Sequence, residues 1–237
     1  MLRKVLRLPS VTLAFVLLAA CNEDGRIGRE ERETKILELD KSELTRVEIR
    51  MGAGELTVRK GSTNFLDAAF DYQRPSWKPT VNYRSTGVRS DLEILQPSDT
   101  GGFGNTEYKW DLQLNEGILM DLVAKLGAGE AKMNLGDLTL RSVEMNMGAG
   151  EVNMDLRGKI PARSYDVHIN GGVGQANVYL PRDVGIYATA QGGIGEIHVS
   201  GLEQRGNHWV NASKLDSPIT IRVDVKGGIG EIRLVAE

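Results

Sequence analysis

Apolar and polar residues alternate along most of this chain, and the phase of the alternation reverses at one recurring phrase. Val47, Ile49 and Met51 lead into Gly52-Ala53-Gly54-Glu55, after which Leu56 and Val58 carry the apolar side. Likewise Val143, Met145 and Met147 precede Gly148-Ala149-Gly150-Glu151, and Val152, Met154 and Leu156 follow it. A period of two predicts a strand with one buried face. Because a straight strand cannot change which parity it buries, each glycine pair is expected to form a corner or bulge, using backbone angles that suit glycine. The residue between the glycines keeps the earlier parity and is expected to face the core.

The phrase occurs six times with Ala, Val or Ile between the two glycines and then an acid or its amide. The glycine pairs are Gly52 and Gly54, Gly127 and Gly129, Gly148 and Gly150, Gly172 and Gly174, Gly193 and Gly195, and Gly228 and Gly230. From the copy at Gly127 to that at Gly193 the spacings are 21, 24 and 21 residues, a near-constant rung length. Such repetition marks stacked units that cannot each bury their own apolar face. No segment shows a sustained helical period. The pattern predicts an all-β fold, a repetitive β-solenoid or stacked sheet with Gly-x-Gly-Glu corners; the alternative is a β-sandwich, which would give the same alternation. Before the second copy, further strands are expected at Phe65 to Tyr72, Val81 to Tyr83, Leu92 to Leu95 and Tyr108 to Leu114. Gly201 to Leu215 reads as an excursion. The last strand, Ile232 to Val235, is expected to be an edge open to self-association.

The first residues change the picture of where the protein resides. Arg3, Lys4 and Arg7 precede an apolar run from Val11 to Ala20, and the junction Leu18-Ala19-Ala20-Cys21 resembles a bacterial lipobox. The resemblance implies cleavage before Cys21 and lipidation of its thiol, with acyl groups such as palmitate, and two or three chains anchor a protein firmly to a bilayer. The expected organisation is a lipoprotein signal peptide at 1–20, the lipidated cysteine and a charged tether at 21–36, an N-terminal β region at 37–115 and a repetitive solenoid region at 116–237. Cys21 is the single cysteine, which excludes a disulfide framework. Of 29 Lys and Arg against 32 Asp and Glu, three basic residues lie in the leader, leaving 26 against 32, a balance of −6. That balance argues against nucleic acid as a partner.

The stretch Trp110-Asp111-Leu112-Gln113-Leu114-Asn115, the run Asp121 to Glu130 and the continuation Leu135 to Glu151 resemble the toast-rack domain family, related to the C-terminal part of LiaF-like cell-wall-antibiotic-response proteins. The resemblance covers most of the chain from about Leu37. It implies an all-β repetitive fold in bacterial envelope or membrane-associated proteins. LiaF-like proteins restrain a stress-sensing kinase and carry membrane helices that this chain lacks, so their regulatory role transfers only weakly.

No residue set makes an active site. If the corners stack, Glu55, Glu130, Glu151, Gln175, Glu196 and Glu231 form an acidic ladder with rungs about 4.8 Å apart. Neighbouring carboxylates at that spacing repel by about 1 kcal/mol in water and roughly 3–4 kcal/mol at an effective dielectric of 20. Bound cations, corner amides or misaligned corners would relieve this. One oxygen ligand per corner is poor for calcium, so no metal site is expected. His168 and His198 could approach each other across adjacent rungs, but lack a third ligand for zinc. Asp99-Thr100-Gly101 matches the aspartic-protease tripeptide but follows Gln96-Pro97-Ser98 rather than an apolar strand, so it reads as a turn. Trp77, Trp110 and Trp209 read as packing residues rather than interface anchors. The glycine phrases are followed by strands, not by the helix N-terminus a phosphate site needs. These readings converge on a lipid-anchored, non-enzymatic envelope protein without a cofactor, on the outer membrane or the outer face of the cytoplasmic membrane. It would present a scaffold surface to an envelope protein, with envelope-stress regulation one outcome. The alternative is an adhesin-like or self-assembling module, and an envelope hydrolase is the least supported.

Overall fold

In the computed structural model, which describes residues 31–98 and 108–237, each glycine phrase sits at the midpoint of one long bent strand. The strands in chain order are β1 (Glu31–Leu37), β2 (Leu44–Lys60), β3 (Leu66–Tyr72), β4 (Thr80–Ser85), β5 (Arg89–Leu95), β6 (Lys109–Leu114), β7 (Met120–Asn134), β8 (Leu140–Asp155), β9 (Tyr165–Leu180), β10 (Gly185–Ser200), β11 (Glu203–Arg205), β12 (His208–Val210) and β13 (Thr220–Ala236). Two single 3-10 turns, at Pro75–Trp77 and Ala212–Lys214, are the only helical elements among the described residues. No helix there is long and apolar enough to cross a membrane.

Six bent strands stack parallel and in register, in the spatial order β2, β7, β8, β9, β13, β10. Ala53 pairs with Ala128, Ala128 with Ala149, and Ala149 with Val173, so every corner lies on its neighbour. Each strand therefore has two arms meeting at the corner. Short returns at 135–139 and 156–164 carry the chain from the end of one rung to the start of the next. The alternation reads as expected. Val143, Met145 and Met147 on the first arm and Val152, Met154 and Leu156 on the second are all buried between the arms. This is the repetitive, solenoid-like stack, and the sheet is not closed into a barrel.

Side-chain volume is traded across most of the corners. Leu126 and Met147 precede corners whose following inward residues are Ala131 and Val152, whereas Gly227 is answered by Ile232 and Gly192 by Ile197. Only β9 is small on both sides, with Gly171 and Ala176, and a 30 Å³ cavity lies there, also lined by Met147, Ile169 and Ile232. A space of that size is on the scale of a water molecule.

Chain order and spatial order part at the C-terminus. β9 and β10 are not neighbours: β13 lies between them, pairing with β9 through Val225↔Ile169 and with β10 through Ala190↔Val225. The expectation that Ile232 to Val235 forms a free edge is thus corrected, because β13 is hydrogen-bonded on both sides. The return after β9 skips one rung, and the excursion 201–219 brings the chain back into the slot. Asn211 holds that excursion in place by donating from Nδ2 to the carbonyls of Arg182 and Val184 at 2.8 and 2.9 Å. The chain end is held as well. The Glu237 amide donates to the Leu180 carbonyl at 3.1 Å, and Arg157 pairs with the Glu237 carboxylate while stacking on Tyr179.

At the opposite end the arms of β2 diverge. β5 and β4 continue the first arm, while β6, β3 and β1 continue the second. Phe65 and Tyr83 meet with ring centroids 5.6 Å apart, so this end alone resembles the sandwich alternative. Residues 31–36, expected as tether, belong to strand β1. Its pattern is charged rather than apolar, and it is held by the β3 ladder and by ion pairs Arg32–Asp71 and Lys78–Glu33, a support that alternation of apolar residues does not reveal.

Ile232 and Ile197 occupy equivalent positions in β13 and β10, yet Ile232 is 3% exposed and Ile197 38% exposed. In dilute protein, Ile232→Ala is expected to cost about 2–5 kcal/mol in urea unfolding, the range for a buried isoleucine. Ile197→Ala should cost under about 1 kcal/mol. Equal costs would contradict the intercalated order.

Candidate binding surface

The corners define the surface. The second glycine of every phrase has positive φ, between +128° at Gly129 and +146° at Gly54. A Cβ at Gly150 would also lie 1.9 Å from the Gly129 carbonyl oxygen, and one at Gly230 would lie 1.7 Å from that of Gly174. At the first glycine the carbonyl clash alone bars a side chain: a Cβ at Gly148 would sit 2.3 Å from the Gly127 oxygen. Gly52 is the exception, since its nearest neighbour would be Gln96 Oε1 at 3.5 Å.

The residue between the glycines faces solvent, which corrects the expectation that it points into the core. Val173, Ile229 and Ile194 are 52%, 51% and 70% exposed. With the following glycine at a positive φ that other residues avoid, the strand turns this residue to the outside of the bend. In spatial order the row reads Ala53, Ala128, Ala149, Val173, Ile229, Ile194, so an apolar ridge grows in bulk from the β2 end towards β10. Beside it runs an open groove of 690 Å³ floored by Gly52, Gly127, Gly148 and Gly172 and flanked by Arg50, Lys125, Asn146 and Asn170.

The acidic ladder exists, with the order Glu55, Glu130, Glu151, Gln175, Glu231, Glu196. Its repulsion is relieved by side chains two residues further along the same strands. Lys132 lies 2.9 Å from Glu130, Arg233 lies 2.5 Å from Glu231, and Asn153 donates to Glu151 at 2.9 Å. Asn177 bridges Glu151 and Asn153, and the neutral Gln175 separates the two acidic halves. Among the described residues no group of three or more histidine, cysteine or acidic side chains could hold a metal ion.

The histidines stay apart. His168, on the first arm of β9, lies 3.9 Å from Asp224, whereas His198, on the second arm of β10, lies 2.9 Å from Glu196 and 3.7 Å from Glu231. His208 stacks on Tyr187 at 4.4 Å. Trp77 and Trp110 are buried, and Trp209 packs partly buried against the core. Cys21 and Asp99-Thr100-Gly101 lie outside the described residues.

The stack presents its two ends differently, a feature that sequence reasoning missed. At the β2 end, Gln96 Oε1 accepts from the amides of Gly52 and Ala53 at 2.6 and 3.2 Å, and the Tyr108 carbonyl accepts from Glu55 at 2.9 Å. These groups stand in for a missing rung. At the β10 end, only Tyr187 and Ala188 are covered, by β12; beyond them no strand pairs with the outer edge of β10 among the described residues. The hydrophobic pattern of β10 matches the inner rungs, so nothing local announced that this rung is terminal.

Comparison with known proteins agrees with the architecture. The family described as the N-terminal domain of toast_rack, DUF2154, matches residues 26–179. The chain belongs to the toast-rack family. The matched segment ends before β10 and β13, so the intercalated rungs lie outside it. A crystal structure described as a candidate cell adhesion protein from Clostridium sporogenes is 29% identical, with a TM-score of 0.83 covering 88% of this chain and 100% of that one. A candidate adhesin from Bacteroides fragilis is 9% identical with a TM-score of 0.28 over 87% of this chain and 97% of its own, too low to support an argument. Functionally curated proteins give no match.

Two predictions follow from the corner and from the charges beside it. Gly150→Ala should destabilise by about 1–3 kcal/mol from backbone strain alone, with the carbonyl clash added, while Ala149→Val and Gly52→Ala should change the thermal midpoint little. The second concerns acid. Burial by itself would raise Asp121 and Glu48, but Arg141 and Ser142 on Asp121, and Arg50 and Lys125 on Glu48, hold both below the usual carboxylate range. A depressed folded value contributes stability that is complete above the unfolded value, about 3.9–4.3, and is lost as pH falls through the folded one. Stability should thus be level near neutrality and drop below about pH 4. Asp121→Asn should shrink that drop, as read by unfolding across a pH series.

Proposed function

We propose that this toast-rack protein is a non-enzymatic, lipid-anchored module of the bacterial cell envelope that works by contact, in the manner of an adhesion or scaffold protein. The observation that carries the reading is the solvent-facing ridge of Val173, Ile229 and Ile194, three β-branched side chains in register on adjacent rungs. Exposed apolar rows of this kind mark surfaces that bind other macromolecules. The similarity to the candidate cell adhesion protein from Clostridium sporogenes, over 88% of this chain, supports the same reading. Cys21, in its lipobox-like setting, would hold the stack at the membrane surface. The envelope-stress role implied by the LiaF-like resemblance would use the same surface, through contact with a membrane protein.

The test has two readouts. Metabolic labelling with a fatty-acid analogue should mark the protein and place it in the membrane fraction, and Cys21→Ser should abolish both. Cells carrying Val173→Ser/Ile229→Ser should lose most of the adherence shown by cells with the parent protein, at equal surface abundance. Unchanged adherence would remove the ridge from the mechanism, and an unlabelled soluble parent protein would remove the anchor.

A further inference from the structure

Among the described residues, nothing pairs with the outer edge of β10 from Thr189 to Ser200, about 40 Å of extended backbone. It is the least protected edge of the stack. β1, the edge strand on one branch of the other end, is studded with Glu31, Arg32, Glu33 and Lys35, and β4, the edge on the other branch, spans only Thr80–Ser85. Charge and shortness are the usual protections of edges; β10 is 16 residues long and carries a single acid, Glu196. Its inward positions also keep core identities: Ile197 and Val199 correspond to Ile232 and Leu234 of β13, which are 3% and 0% exposed.

Three features of this edge are self-complementary. First, its free stretch is centred between Ile194 and Gly195, within the corner, because β12 covers the strand only as far as Ala188. The two free arms are equal in length. A two-fold axis along the bisector of the bend therefore lays the first arm of one copy antiparallel along the second arm of another. Second, the change of parity at the corner makes inward residues meet inward residues in that register. Ala190 faces Val199 of the other copy and Gly192 faces its Ile197, small against large, while Gln191 faces His198 on the outside. A straight strand paired about a point between two residues would set inward against outward. Third, the charges fit. Glu196 of one copy arrives beside the neutral Gly193 of the other, with that copy's Lys226 one rung behind on the same outward face, so no carboxylate meets another across the seam.

We infer that the β10 edge is the site of homodimerisation, two copies joining by antiparallel strand addition into one continuous bent stack of twelve corners. The occupant is a second copy of this chain. Pairing satisfies the edge's backbone groups, covers Ile197 and Val199, and brings the two ridges together at Ile194. The inference is independent of the lipid anchor and of any foreign partner.

Light scattering and sedimentation of the full chain in detergent, corrected for bound detergent, test it. The parent protein is expected to show twice the chain mass. Ile197→Asp, at an exposed position, should show the single mass while still unfolding in one cooperative transition. In a Cys21→Ser background, Gln191→Cys/His198→Cys should oxidise to a covalent dimer, since the two positions face each other across the axis, whereas Gln191→Cys/Ser200→Cys should not. A parent protein that stays monomeric at the highest attainable concentration would overturn the inference, even if it adds a strand from some other peptide. So would a dimer that survives Ile197→Asp or fails to cross-link through 191 and 198.

Discussion

Backbone meets backbone at the corners with no room for a side-chain carbon between them. Five successive carbonyl oxygens, from Gly54, Gly129, Gly150, Gly174 and Gly230, lie where a Cβ of the next rung's second glycine would fall. Everything else in the stack follows from that approach. It brings rungs to strand spacing at the bend, lets both arms keep their ladders on either side, and allows the chain to exchange the parity it buries. At the β2 end the two arms are continued by separate strands, β5 and β6.

The same register that packs the core orders the surface. Any position counted from a corner forms a row down the stack, so the chain carries an acidic row, a row of cations and amides that answers it, and an apolar row at the apex. The acids need no metal because their partners come from the strand that bears them, as Lys132 does for Glu130 and Arg233 for Glu231. Volume is managed in the same way across the bend. Where that balance lapses, at Gly171 and Ala176, the interior holds its small cavity.

How much of this could be read from the chain depends on whether the relevant signal was local. Alternation and its reversal are local, so the strands, their inward faces and the glycine corners were legible from residues such as Met147, Gly148 and Val152. The direction of the apex residue was not, because parity holds along extended backbone but not across a glycine at positive φ; Val173, Ile194 and Ile229 point outward for that reason. Rung order was hidden too. Ile197 and Ile232 are the same residue in the same pattern, and only the skipped return after β9 and the tie at Asn211 decide which is internal. β1 escaped notice because its support is backbone pairing and charge rather than burial.

Insertion of β13 between β9 and β10 also bears on how the protein is made. A polypeptide is synthesised from its first residue, and here β13, made after β10, is the inner of the two layers. Until β13 leaves the ribosome, β9 and β10 each expose a ladder edge towards an empty slot, a state open to wrong pairings. Closing that slot is a long-range step, delayed by the excursion that precedes it. Deleting β13 would therefore remove a layer from within the stack and part β10 from β9.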